Sequence, residues 1–232
     1  MLSTVSEIQA VRQALSVARM STYERETKWS LPNDPSALNL YAWNAQISAA
    51  LLVPLHICEV VIRNTVSDVL VATYGPEWPW DKTFERSLPV ATKSYCQVRD
   101  LQMARKGADT VGKVIPELKF MFWQKMFTSR HDVRLWDRYL HGVFPNVPAA
   151  ASVSSVRKTM HDNLGQIRLL RNRIAHHEPV FSRNLSDDLN RIKSIIMLRS
   201  TDTAAWVSHF EQATDLLASK LGPTTGPVIR TS

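Results

Sequence analysis

Apolar side chains recur at intervals of three and four along most of the chain, and no run alternates apolar and polar positions as a half-buried strand would. The spacing predicts an all-α protein. A capping box at Thr4 and Glu7 opens a first helix that should run to about Met20, with Val5, Ile8, Val11 and Leu15 on one face. Residues 21–35 are polar and carry two prolines, which predicts a loop or arm. A second helix is expected from about Pro35 to Leu52, with Asp34 as its cap, and a third from Leu55 to Tyr74. Pro54 should break or kink the chain between them. The third is apolar nearly all round, the mark of a helix buried on most sides.

A turn-rich connector with exposed aromatics is expected from Gly75 to Trp80. Helical spacing then returns over Ala91–Lys106, Val114–Phe127, Val133–Val143, Val153–His177, Asp187–Arg199 and Thr203–Leu221. Ser186 ahead of two aspartates, and Asp202, read as N-caps for the last two helices. Gly222 onward reads as a frayed tail. The pattern predicts one helical domain over residues 1–221 with a flexible tail over 222–232.

Along the helix from Val153 the apolar stripe is Val153, Val156, Met160, Leu164, Ile167, Leu170 and Ile174. At about 100° per residue Arg171 falls within it, roughly 40° from Ile167. An arginine there is costly unless a carboxylate or an anionic ligand answers it. Pro179 disfavours helical geometry at Glu178, so the helix should end near His176 and His177. An ideal helix separates Arg171 from His176 by about 140°, so the two converge only if the turn unwinds or a second subunit contributes.

Charge sharpens this picture. The chain carries 28 basic and 21 acidic residues, a net charge of +7. Residues 157–199 hold nine basic and four acidic side chains, a local surplus of five. That fits either a solvated basic face or a nucleic-acid footprint. Cys58 and Cys96 lack metal-type spacing, and Cys58 sits in an apolar run as a buried thiol, which points to a reducing compartment. The N-terminus has no signal-peptide pattern. The apolar segment 47–71 is interrupted by Pro54, His56, Glu59 and Arg63, so it reads as protein core rather than membrane span.

The block Leu170-Arg171-Asn172-Arg173-Ile174-Ala175-His176-His177-Glu178-Pro179 resembles the Arg-x4-His signature of the HEPN superfamily, in the form seen in its Abi-like, abortive-infection branch. Tyr41-x-Trp43-Asn44, Pro54-Leu55-His56-x-x-Glu59-x-x-x-Arg63-Asn64, and Phe122-Trp123 with Leu135-Trp136 extend the resemblance over residues 38–220. Met121 stands where the family usually has glycine. The resemblance implies a HEPN-like helical bundle with extra helices, dimerising so that two motifs face each other. It also implies metal-independent RNase activity in phage defence or a toxin–antitoxin pair. Arg171 would bind the scissile phosphate, His176 would shuttle the proton for 2′-OH attack, and Asn172 would orient substrate or imidazole. An arginine fork suits phosphate, and an imidazole suits proton transfer near neutral pH.

His177, Glu59, Arg63, Asn64 and Arg173 are supporting candidates. Glu59 and Arg63 have the i, i+4 spacing of an ordinary helical ion pair, and Glu59 could instead answer Arg171 across the bundle. His176-His177-Glu178 lacks helical metal-ligand spacing, so no metal or cofactor is expected. The aromatics at 120–127 read as core or interface, and His131 and His141 as surface residues. The expected partners are RNA, a second copy of the chain and an antitoxin, protein or RNA, with no membrane; the expected location is bacterial cytoplasm. The alternative is a non-catalytic module of the same fold that binds RNA or a partner in such a system.

Overall fold

The computed structural model describes residues 4–32, 34–90 and 95–221, and every regular element among them is helical. The expected tail over 222–232, and the first residues of the helix expected at Ala91, lie outside the described residues. The twelve α-helices are α1 Val5–Leu15, α2 Val17–Glu26, α3 Ser36–Tyr74, α4 Lys82–Ser87, α5 Gln97–Ala104, α6 Val111–Glu117, α7 Phe120–Lys125, α8 Asp137–Val143, α9 Val153–Ala175, α10 Leu185–Arg199, α11 Thr201–Phe210 and α12 Ala213–Leu221. Short 3-10 turns cover Trp78–Trp80 and Ser129–His131, and a π-helical turn covers Asp132–Trp136.

The axis of the molecule is α3. It runs unbroken through Pro54 for 39 residues, roughly 58 Å at 1.5 Å per residue. The expected break is absent for an energetic reason. A helix-interior proline costs ~3 kcal/mol. Burial of Leu51, Leu55 and Cys58 around it returns roughly 1.5–3 kcal/mol for each large side chain. Helices α2, α7, α8, α9, α10 and α12 all pack on α3. Its length and hydropathy would also serve a membrane span, but here Ile47, Leu51, Ile62, Val66, Val69 and Leu70 are in the protein core. Cys58 is fully buried, and burial pushes its thiol up to about 12.

The N-terminal segment departs from expectation at Ser16. Its φ of 73° ends α1, and its hydroxyl accepts the Arg19 N–H at 3.3 Å to start α2. Arg12 then reaches across to Glu24, with Nε–Oε1 at 2.7 Å, and stacks over Trp29. This folds the two helices together, so α2 occupies residues expected to be loop. Ile8, Met20, Tyr23, Ala37, Leu38 and Phe181 form a small second core beneath them.

Other boundaries shift for local reasons. Pro116 and the Lys119 N–H, taken by the buried Asp100 carboxylate at 3.2 Å, separate α6 from α7. Asn184 rather than Ser186 caps α10, and Ser200 rather than Asp202 caps α11. The buried Glu211 carboxylate accepts the Ala213 and Thr214 N–H groups and pairs with Lys193 at 2.8 Å, ending α11 and starting α12. Trp78, expected to be exposed, is fully buried and donates its indole N–H to Ser67 at 3.1 Å. The aromatics at 120–127 are core: Trp123 packs edge-on against Trp78 and Phe122, and Phe127 stacks on Trp136 at 4.4 Å.

His131 is also a correction, being 1% exposed while His141 is exposed as expected. Burial first, then Arg134 and Arg130, pushes its pKa from 6.5 down to about 4. The folded chain therefore holds this ring neutral. Above pH ~6.5 folded and unfolded chains bind equally few protons here. As pH falls toward 4 only the unfolded chain takes one up, so stability is lost on acidification, by roughly 3 kcal/mol across the window. A His131→Gln variant should lose that much less stability over this range in denaturant melts. Parallel pH profiles for the two proteins would contradict the buried neutral histidine.

Candidate active site

Helix α9 begins where Ser152 accepts the Ser155 N–H at 3.3 Å, and it buries Met160, Leu164, Ile167, Leu170 and Ile174. Arg171, expected inside this stripe, is exposed. The reason is a drift of the covered face. Over the last turns only Leu170 and Ile174 are covered, and on an ideal helix Arg171 lies about 80° from the midpoint between them. Its guanidinium thus stands in solvent and bears no burial cost.

The end of α9 is a complete Schellman motif. The His177 N–H bonds to the Ile174 carbonyl at 3.0 Å, and the Glu178 N–H to the Arg173 carbonyl at 2.8 Å. His176 is the C-cap, its N–H on the Asn172 carbonyl at 2.9 Å. His177 takes the left-handed position at φ 55°, where glycine is usual. The backbone leaves the helical path only after His176, so the helix is unbroken from Arg171 to His176 and their separation of about 140° stands. Within one chain the turn redirects His177 alone, and convergence of His176 with an arginine is left to a second copy. Both imidazoles are exposed, and neither ring makes a hydrogen bond among the described residues.

Two contacts hold this turn in place. Arg19 of α2 donates to the His177 carbonyl. Asn44 of α3, 6% exposed, accepts the buried Val180 N–H through Oδ1 at 2.7 Å. Asn44 belongs to the upstream block noticed in the sequence, and this bond gives it a physical task. Phe181 then packs on Tyr23 at 5.2 Å, and Tyr23 on Tyr41 at 5.0 Å. Beside the turn lies a cleft of about 250 Å³ between α2, α3 and the end of α9, with Ile174 and His177 on one wall.

The supporting candidates divide. Glu59 pairs with Arg63 within α3, the ordinary helical reading, and no ion pair or hydrogen bond joins Glu59, Arg63 or Asn64 to residues 171–178 among the described residues. Asn64 is exposed. The end of α9 meets α3 around Asn44 to Leu52, and Glu59 lies seven residues beyond Leu52, about 10 Å along the axis. Arg173 faces Glu178 at 3.4 Å across the terminal turn. The Asn172 side chain has no partner among the described residues.

The basic segment resolves into pairs. Arg157 meets Asp132, Lys158 meets Asp162, Arg173 meets Glu178, Arg183 and Arg191 meet the buried Asp188, Lys193 meets Glu211 and Arg199 meets Asp68. Arg168 donates to the Gln124 side-chain oxygen at 2.9 Å. Among the described residues Arg171 alone of these nine has neither an ion pair nor a hydrogen bond. No group of three His, Cys, Asp or Glu side chains gathers in a metal-binding arrangement among the described residues. The arrangement offers an uncommitted guanidinium, two uncommitted imidazoles and an amide on one helix end.

Sequence reasoning missed Arg19, Tyr23 and Ser48 around this site, because nothing in the local pattern says which distant helix covers the end of α9. Compared with protein-family models, curated proteins and solved structures, the chain matches none.

Left-handed backbone costs a non-glycine residue roughly 1–2 kcal/mol. His177→Gly should therefore raise stability by about 1 kcal/mol or a little less, after glycine's larger unfolded-state entropy is counted. That is ~2–4 °C in melting temperature for a chain of this size. A lowered melting temperature would mean that the ring contributes packing that outweighs the strained backbone.

Proposed function

We propose that this chain is a metal-independent endoribonuclease of HEPN type, acting in abortive infection or phage defence. The observation that carries the reading is Arg171: in a segment where every other basic side chain is committed, it is exposed and unpaired among the described residues, on the helix end that presents His176 and His177. An uncommitted arginine fork is a bidentate site for a phosphate diester.

In the proposed reaction Arg171 holds the scissile phosphate and offsets the charge that grows on its oxygens. His176 accepts the proton of the ribose 2′-OH as that oxygen bonds to phosphorus. The bond to the 5′-oxygen breaks, and this leaving oxygen takes up a proton. The products are a 2′,3′-cyclic phosphate and a 5′-OH. Asn172, one residue after Arg171, orients substrate or ring. His177 stands beside His176 as a supporting group, and its strained backbone is where structures hold functional side chains at an energetic cost.

A second copy of the chain completes the proposed site. Leu52, Val53 and Val60 are 48%, 41% and 39% exposed on α3, with exposed His56 among them, an apolar strip suited to an isologous contact. RNA is the substrate, an antitoxin the regulator and the bacterial cytoplasm the setting. The competing reading is a non-catalytic RNA- or partner-binding module, favoured by the lack of any hydrogen bond orienting either imidazole among the described residues.

Arg171→Ala should lower cleavage about 10²–10³-fold, as loss of one transition-state donor does. His176→Ala should lower it about 10²–10⁴-fold through lost proton transfer. Both variants should keep full helicity by circular dichroism. A folded His176→Ala protein with wild-type cleavage would remove the chemistry from this motif, and RNA binding without cleavage by the wild type would favour the binding module.

Light scattering at micromolar concentration should show a dimer, burying more than about 1,000 Å² in total. A monomer that still cleaves RNA would end the shared-site idea.

A further inference from the structure

The cleft beside the helix end is built with a polarity that the proposed chemistry at Arg171 does not use. Its floor is small and apolar, from Ala45, Ala49 and Leu52 of α3 with Ile174 of α9. At about 250 Å³ it is smaller than the ~300–1,000 Å³ clefts that hold drug-sized ligands, so it suits a single planar ring system. One edge is polar, with Tyr23, Tyr41, Ser48 and Asn44.

Asn44 decides what that edge offers. The Val180 N–H can only be met by an acceptor, so Oδ1 must face Val180 and the amide orientation follows from the bond itself. The Asn44 side chain is more than nine-tenths buried, and its NH₂ has no partner among the described residues while the residue lines the cleft. Tyr23 repeats the pattern: it is 1% exposed, its hydroxyl has no hydrogen-bond partner among the described residues, and it lines the same cleft. An amide donor and a phenol, neither with a protein partner among the described residues and neither sealed from solvent, are both free to meet a ligand at this one slot.

We infer that this cleft is the base-recognition subsite of the enzyme, holding one unstacked RNA base that carries an exocyclic carbonyl, with uracil and guanine preferred over adenine. The inference rests on the ribonuclease reading for its substrate class. The carbonyl preference follows from Asn44. An asparagine reads adenine with amide oxygen and nitrogen together, and here the oxygen is already spent on Val180, so only the donor is left. Single-stranded bases are commonly held between aromatic and apolar side chains, which Tyr41 and Ile174 supply from facing elements. His177 lines the cleft as well, so a base seated there lies next to the motif.

The test uses nucleosides, which cannot be cleaved. Uridine, guanosine and adenosine are titrated into the full chain and followed by ligand-observed and backbone NMR. Uridine and guanosine should shift residues 41–52 and 177 and bind at least tenfold more tightly than adenosine. Ala49→Leu, an exposed helix position given a good helix former, should fill the slot and lose this binding with no change in melting temperature. Asn44→Asp keeps an acceptor for Val180 and removes the donor, so the carbonyl preference should vanish. Arg171→Ala should bind nucleosides as the wild type does. Wild-type affinity in Ala49→Leu, or no nucleoside shift in a chain that does cleave RNA, would overturn the subsite and leave the ribonuclease standing. Carbonyl-selective binding in a chain that cuts no RNA would overturn the ribonuclease and leave the cleft.

Discussion

A single hydrogen bond between residues 136 apart sets the geometry on which the site depends. Asn44 of α3 accepts the Val180 N–H at 2.7 Å in a place closed to water. Without it, a buried backbone donor would stand unpaired just after the turn that ends α9, a loss of roughly 1–3 kcal/mol. With it, the chain leaving α9 is tied to the central helix, Phe181 is delivered to Tyr23 and the second core, and the His177 carbonyl meets Arg19. The same bond fixes the orientation of the Asn44 amide. One contact therefore positions the imidazoles and polarises the neighbouring cleft.

The electrostatics around this turn follow from pairing rather than net charge. A surplus of basic residues over 157–199 suggests a broad anion-binding face, yet in space most of those cations meet carboxylates, some within the segment and three from outside it, Asp68, Asp132 and Glu211. Whatever each pair adds to stability, together they remove cations from the pool that can meet a ligand. Of those nine cations, the one left without an ion pair or hydrogen bond among the described residues is Arg171, at the motif.

Much of this was legible in the sequence because it is encoded locally. The Thr4–Glu7 capping box, the span of α9, the buried Cys58 and the all-helical character come from spacing and caps that act within a few residues. The motif and its upstream partners Tyr41, Trp43 and Asn44 were visible as a resemblance, and the Val180 bond now gives Asn44 a role. What stayed hidden depends on the third dimension. Pro54 reads as a break because its cost is local, while the packing that offsets it comes from six other helices. Trp78 and His131 read as exposed because their polar flanks and connectors say nothing of what covers them. Arg171 reads as buried because a helical wheel assumes that the covered face is constant along α9, and here it turns toward Leu170 and Ile174 before the end.

The central claim is that the ribose hydroxyl is the nucleophile at this helix end. The most direct measurement compares two RNA oligonucleotides incubated with the purified full chain in EDTA, one all-ribose and one with a single 2′-deoxynucleotide at the mapped cut. The account predicts 2′,3′-cyclic phosphate and 5′-OH ends from the first and no scission at the substituted position of the second. Equal cutting of both, or activity that appears only on adding a divalent metal, would contradict it.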